Sequence, residues 1–466
     1  MGRPRSLTEG NIFSSLIRFA VPVLFTLFLQ ALYGGVDLLV VGQFAQTADV
    51  SGVATGSMLL QTVTMVVTGL SMGITILVGE RIGRREPEDA GRAIGGGICL
   101  FACFAVLLTA VLVGGAEVLA RLMHAPEHAF HQTVLYIRLC GAGSLFIVAY
   151  NVLGSIFRGI GDSRTPLLTV AIACVINIFG DLLLVAGFHM GAAGAALATV
   201  LSQMASCAFV LCSLRRKRMP VRLRWGGFSW RIMRRVLAFG LSPFLIIATD
   251  SILLIVLNTV LQRYGGPELG DTLVTCATIV QSYLLLITMP MGGLTLGSQP
   301  VVSFNYGAAN LERIKRAIQS IVALCVTFCV LMTVVTHTLS PVFVGLFTQN
   351  PEVAARSVRY IKVFTAMIIP LAIQYPLVDE TTALGHVRLA LFCSIFRKCV
   401  FLAGLLLLPA LVSPEATFLS EPIADVVAAT VTTCLFLHFF PKILAQRAAR
   451  EREEREEREE QPKVAP

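Results

Sequence analysis

The chain holds twelve separate runs of more than twenty predominantly apolar residues, and no other property limits its fold as severely. They cover 16–42, 50–79, 91–119, 132–157, 164–187, 191–213, 235–262, 271–302, 314–340, 354–378, 387–411 and 418–440. About 20 apolar residues in a helix cross the hydrocarbon core of a bilayer. Backbone polar groups inside lipid must be satisfied by the segment itself or by a closed barrel. Barrel strands alternate apolar and polar side chains, whereas these runs are continuous. Charged residues make up 14% of the 466, where soluble domains carry about 25%. The expected fold is therefore all-α integral membrane, with twelve transmembrane helices.

Charge distribution orients the spans, because basic residues concentrate in cytoplasmic loops. Arg81, Arg84, Arg85 and Arg92 follow span 2, nine Lys or Arg fall in 215–235, and Arg313, Lys315 and Arg316 follow span 8. Segments 43–51, 188–193, 348–352 and 412–420 contain none. Both termini are then expected on the cytoplasmic side, in agreement with an even span count. The net charge of +9 does not point to nucleic acid, since the basic loops are short and flank membrane spans. The twelve cysteines all fall within expected spans and read as small apolar packing residues.

The two halves resemble each other at an offset of 224 residues. Gly83, Arg92, Ala93 and Ile94 recur as Gly307, Arg316, Ala317 and Ile318; Tyr136-Ile137-Arg138 recurs as Tyr360-Ile361-Lys362; Gly161 and Arg164 recur as Gly385 and Arg388. Isolated identities are common among apolar sequences, but one register held across three loops is not. Six spans per repeat leave both halves in the same orientation. This implies two six-helix bundles related by a pseudo-two-fold axis along the membrane normal, with a cavity between them. The expected divisions are a first bundle over 1–213, a basic cytoplasmic linker over 214–234, a second bundle over 235–442 and a charged cytoplasmic tail over 443–466. The linker should lie along the membrane interface with Trp225 and Trp230. The Arg/Glu-rich stretch 447–460 should be a solvated helix or disordered.

Against this apolar background the carboxylates stand out. An ionisable group buried in lipid costs at least a few kcal/mol, so it usually faces a cavity and has a function. Asp37, Asp181 and Thr199 all fall roughly 8–12 Å below the outer surface at 1.5 Å of helix per residue. Asn177 stands one turn from Asp181, on the same helix face. Two carboxylates, an amide oxygen and a hydroxyl are hard oxygen ligands, suited to Na⁺ or to proton exchange. Each is also explicable alone, as an interfacial group reaching water or a helix-packing hydrogen bond; their common depth favours a cation site.

Weaker candidates are Asp250 and Gln281 as a polar site in the second bundle, and Gln30, Tyr33 and Gln61 as lining of a substrate cavity. Asp250 would lie about 18 Å from the outer end of its span by the same rise. Pro290 and Pro300 in span 8, and Pro370 and Pro376 in span 10, are expected to kink their helices. No phosphate-binding Gly-x4-Gly-Lys-Ser/Thr motif occurs, and no nucleophile–base constellation stands out. An enzyme is not expected, and transport energy should come from an ion gradient or a partner.

Several longer patterns resemble the multidrug and toxic compound extrusion (MATE) family, in particular its bacterial branch. They are Phe19 to Pro22, Leu32 through Asp37 to Gly42, Phe157-Arg158-Gly159 through Gly161-Asp162 to Pro166, Asn177 to Asp181, Gly194 to Thr199, and Pro300 through Asn305-Tyr306 to Gly307. The resemblance covers residues 10–442. It implies a twelve-helix antiporter, acting as a monomer in the bacterial inner membrane, that exports organic cations in exchange for Na⁺ or H⁺. It further implies that Asp37, Asn177, Asp181 and Thr199 bind the coupling cation, which is Na⁺ if transport is sodium-coupled; no cofactor is implied. Some members carry a Glu in span 7 near the place of Asp250. The stretch around Asp379-Glu380 is more acidic than that branch leads one to expect, marking either an altered cytoplasmic gate or an exposed helix end.

The function expected from all of this is ion-coupled drug export by alternating access. The alternative is a flippase for a lipid-linked precursor built on the same architecture. A flippase should present a cationic cavity to pyrophosphate, whereas Arg and Lys here concentrate in loops and the cavity candidates are acidic or neutral. A passive channel is disfavoured by a closed acidic site within one bundle.

Overall fold

The computed structural model describes residues 7–216, 221 and 230–460, so Trp225 and most of the expected linker lie outside the described residues. The described chain is nearly all helix. The first half contains α1 (Ile12–Phe44), α2 (Thr47–Gly83), α3 (Pro87–Gly114), the short α4 (Ala116–Leu122), α5 (Phe130–Ala142), α6 (Ser144–Gly159), α7 (Arg164–Asp181) and α8 (Gly191–Arg216). Then come α9 (Trp230–Gly307), α10 (Leu311–Gly345), α11 (Pro351–Phe364), α12 (Ile368–Ala383), α13 (Val387–Leu411) and α14 (Ser420–Glu460).

Nine helices among the described residues are long and apolar enough to cross a membrane, and two bent pairs bring the number to eleven. The remaining span is hidden in α9. Its 78 residues would reach about 117 Å at 1.5 Å per residue, far beyond a hydrocarbon core of about 30 Å. Gly266, at φ 65° and ψ −166°, breaks it. With its two arms counted separately, the described residues hold twelve spans. α9 also begins at Trp230, inside the stretch expected as linker.

The chain forms two compact units, one of residues 18–244 and one of residues 7–17 together with the chain from Leu245 onward. The sequence repeat reappears in the backbone of each. In the first unit the fourth span is broken between α5 and α6 with a bend of 53°; in the second, α11 and α12 meet at 52°. Gly161 and Gly385, 224 residues apart, both sit at φ 86°. This left-handed turn after α6 and after α12 is open to glycine because a Cβ would clash there.

Helix continues through Pro290 and Pro300, and Gly266 is the non-helical residue inside α9. The break ahead of α12 falls at 365–367, just before Pro370, whose missing N–H leaves the Ala366 carbonyl without its helical partner. The matching bend in the first unit has no proline: Gly143 stands there, and a Cβ on it would lie 2.5 Å from Val200. Val200 of α8 thus packs where a side chain at this position would stand. Seven of the cysteines are buried and five exposed, all as free thiols.

The tail is helix, one of its two expected forms, but it is not solvated from the start. α14 continues as helix to Glu460, and Arg447, the first residue of the stretch expected to be solvated, is fully buried. Its Nε donates to the Tyr306 carbonyl at 2.9 Å and its Nη2 to that of Gly307 at 2.7 Å. The last carbonyls of a helix lack intrahelical donors, and Arg447 supplies them at the end of α9.

Candidate functional site

In the first unit three helices converge on one buried polar cluster. α1 contributes Asp37, α7 contributes Asn177 and Asp181, and α8 contributes Thr199; these are 3%, 0%, 0% and 1% exposed. Asp37 lies against both Asp181 and Asn177. Tyr33, one turn before Asp37 on α1, brings its hydroxyl to Thr199 and Gln203, and Tyr136 of α5 also reaches Thr199. All four residues expected as cation ligands are thus gathered in one place.

Local structure fixes each of them. Asp181 is the last residue of α7 before a π-helical turn over Leu182–Gly187; such turns occur mostly as single interruptions, frequently at functional sites. Gly180 lets α7 approach α8, since a Cβ there would come within 3.0 Å of Ala198 Cβ. This close approach brings together the stretches of α7 and α8 that carry Asp181 and Thr199. Asp49 near the start of α2 accepts the Ala192 N–H at 3.0 Å and so anchors the start of α8. An apolar cluster that includes Val40, Val41, Cys140, Val185, Ala195 and Ala196 packs around the same elements.

The cluster is rich in unmatched polar atoms. Among the described residues, Asp37 Oδ1, both carboxylate oxygens of Asp181, both amide atoms of Asn177, Thr199 Oγ1, the Tyr33 hydroxyl and Gln203 Oε1 make no well-formed hydrogen bond. A buried polar group without a partner costs about 1–3 kcal/mol. No basic side chain acts on Asp37 or Asp181 among the described residues. Two carboxylates held together away from water are compatible only when a proton or a metal ion joins them. The neutral oxygens of Asn177, Thr199, Tyr33 and Gln203 complete a hard-donor set into which Na⁺ would fit.

The remaining candidates fall elsewhere. Tyr33, expected to line a substrate cavity, turns its hydroxyl into the cation cluster instead, because its i, i+4 spacing to Asp37 puts both on one face. Gln30 donates to the Tyr150 hydroxyl at 3.4 Å, and Gln61 is exposed. Gln203 and Tyr136 were not expected in the cluster. Gln203 could have been found by the same spacing from Thr199, but Tyr136 comes from a different helix and left no local signal.

In the second unit Asp250 does not meet Gln281; it pairs with Lys398 of α13. Next to Lys398, Arg397 donates through Nε and Nη2 to Asp425 Oδ1 at 3.0 and 2.9 Å, and through Nη2 to Glu421. These two cations are exceptions to the concentration of Arg and Lys in loops. They lie inside a span, where Glu421 and Asp425, one turn apart on α14, neutralise Arg397. Glu380 is fully buried, with one carboxyl oxygen in hydrogen-bond contact with Ser298, so it is not an exposed helix end.

Comparison with known proteins gives these clusters their setting. The MatE family model matches residues 22–183 and 247–407, one segment in each half. The probable multidrug resistance protein YpnP of Bacillus subtilis is 26% identical over 363 residues, covering 76% of this chain and 79% of the relative. The multidrug export protein MepA of Staphylococcus haemolyticus is 21% identical over 438 residues, covering 93% of each. Among solved structures, a MATE protein in a bent conformation superposes with a TM-score of 0.89 at 22% identity, over 96% of this chain and all of that one. A MOP-superfamily transporter from Pyrococcus furiosus gives 0.86 at 22% identity, covering 96% of this chain and 99% of the other. With the family model matched across both halves, the chain belongs to the MatE family of multi-pass membrane transporters and is not an enzyme.

Proposed function

We propose that the protein is an antiporter that exports organic cations and related amphipathic compounds, driven by entry of Na⁺ or H⁺ at the Asp37 cluster. One observation carries the reading: Asp37 and Asp181, from different helices, are buried together with Asn177 and Thr199, and among the described residues no basic side chain accompanies them. Such a group takes up one positive charge from one side of the membrane and gives it up to the other. Occupancy changes the charge at the junction of α1, α7 and α8, and a ligand shifts a conformational equilibrium by its differential affinity for the states. Coupling to drug release by alternating access follows from that bias. The basic loops favour cytoplasmic termini in a bacterial inner membrane. The names of the relatives, multidrug resistance and multidrug export proteins, support small-molecule substrates. Neutralisation of Arg397 and Lys398 by Glu421, Asp425 and Asp250 disfavours a flippase, which would need free cations for pyrophosphate.

The test is efflux of a fluorescent organic cation from proteoliposomes, with Na⁺ and proton gradients imposed separately, for wild type and Asp37→Asn. Gradient-driven efflux that disappears in the variant supports the reading and names the coupling ion. Absence of efflux under both gradients in the wild type refutes it.

A further inference from the structure

The second unit contains a pair of buried acids that this mechanism does not use. Glu380 is 0% exposed and the adjacent Asp379 half-buried, near the end of α12. They meet one face of the second arm of α9, formed by Thr295, Ser298 and Gln299 at i, i+3 and i+4. Ser298 contacts Glu380 Oε1, and Asp379 lies against Thr295. Neighbouring helical residues point about 100° apart, so the two carboxylates reach different members of that face.

Comparison within the chain shows how unusual this is. At the 224-residue offset, Thr295 and Asp379 correspond to Ser71 and Ser155, while Ser298 and Glu380 correspond to Ile74 and Ile156. In the first unit that seam is neutral and closed: Ser71 and Ser155 hydroxyls bond at 2.8 Å, and Thr75 donates to the Ser155 carbonyl at 2.8 Å. Conversely, the offset mates of Asp37, Asn177 and Asp181 are Leu261, Phe401 and Leu405. The acids of the second unit therefore occupy different repeat positions from those of the first.

Two features point to a ligand. Glu380 Oε2 and Gln299 Oε1 are buried without a partner among the described residues, and both belong to the elements that form the seam. In addition, Ser298 Oγ lies 2.7 Å from the Thr295 carbonyl as well as against Glu380. One hydroxyl proton cannot serve both acceptors. The contacts are complete when Glu380 carries a proton and donates it to Ser298, or when a cation sits against both oxygens. The other titratable groups facing the acids are Cys325 of α10 and Tyr375 of α12. Arg397 of α13 acts on Tyr375 but is held by Glu421 and Asp425.

We propose that the seam between the second arm of α9 and α12 is a second cation site, where Na⁺ replaces the proton on Glu380. Glu380 supplies the one carboxylate that neutralises the ion, Ser298, Thr295 and Gln299 supply neutral oxygens, and Asp379, half-buried against Thr295, flanks the site. One proton leaves for each Na⁺ bound. A proton alone needs one acceptor; several converging neutral oxygens suit a hard metal cation. A single full carboxylate at the centre favours a monovalent ion over a divalent one.

The test uses full-length purified protein in detergent with ²²Na⁺ as probe and a pH indicator in weak buffer. Asp37→Asn/Asp181→Asn removes the first-unit acids and should still bind a single Na⁺, releasing one proton. Adding Glu380→Gln should abolish both signals. Ser298→Ala in the same background keeps the charge and should weaken Na⁺ binding about tenfold, the weight of one polar contact to an ion. Absence of Na⁺ binding in the double variant, binding that survives Glu380→Gln, or Na⁺ uptake without proton release would each overturn the proposal. The result is independent of the first site: if that reading fails, wild type and double variant bind alike.

Discussion

Replacing Arg397 by Met should cost the second unit more stability than any single change in its loops. The guanidinium is nearly buried, at 14% side-chain exposure, and faces Glu421 and Asp425 at 7% and 1%. Lys398 is the neighbouring cation, and it is engaged with Asp250. The group as a whole holds two positive and three negative side chains. Removing Arg397 leaves one cation for three acids, two of them almost out of water. Breaking a buried pair by deleting one partner costs about 3–5 kcal/mol. At about 1.4 kcal/mol per decade, that lowers the folded-to-unfolded ratio between roughly a hundredfold and a few thousandfold. The assay is reversible unfolding in mixed micelles, comparing Arg397→Met with Arg397→Met/Glu421→Gln/Asp425→Asn. The triple variant should recover most of the loss, because it removes the uncompensated charge rather than the packing. An Arg397→Met protein as stable as wild type, or a triple variant no better than the single one, would refute the reasoning.

Other expectations follow from the same geometry. Gly73→Ala would place a Cβ 2.0 Å from the Val236 carbonyl oxygen; backbone cannot yield as a side chain can, so a loss of about 1–3 kcal/mol or more should appear as a lower melting temperature in detergent. Arg447→Ala removes the donors to the Tyr306 and Gly307 carbonyls, and hydrogen exchange at 304–310 should accelerate while that in α2 stays unchanged. Thr199→Val deletes one neutral oxygen of the first site. If Na⁺ is the coupling ion, its half-saturating concentration should rise about tenfold; if H⁺ is, transport should hardly change.

The fold was legible because lipid imposes it. Continuous apolar runs admit only helices, and the 224-residue register carried through to the matched bends and to Gly161 and Gly385. Asp37, Asn177, Asp181 and Thr199 were legible for a related reason: polar groups are rare in such runs, and helical rise converts position into depth. The reading missed what depends on contact between helices. Tyr136 looks like any aromatic residue until α5 is packed against α8. Arg397 and Lys398 look like breaks in an apolar run until α14 supplies Glu421 and Asp425. Glu380, so close to a turn, read equally as an altered gate or an exposed helix end, and only the second arm of α9 covering it removes the second of these. The bend at Gly143 has no proline to announce it, and the close approach of Val200 that calls for glycine there appears only when α8 is packed.

The central claim is that charge at the Asp37 cluster and movement of drug are one equilibrium, and binding linkage is reciprocal. The most direct measurement therefore runs the exchange backwards. Proteoliposomes are given a gradient of organic cation and no ion gradient, and Na⁺ and pH are followed on the other side. The account predicts counter-movement of one of these ions against the organic cation, abolished by Asp181→Asn in protein that remains folded. Organic-cation flux with no ion counter-movement, or counter-movement undiminished in Asp181→Asn, would contradict it.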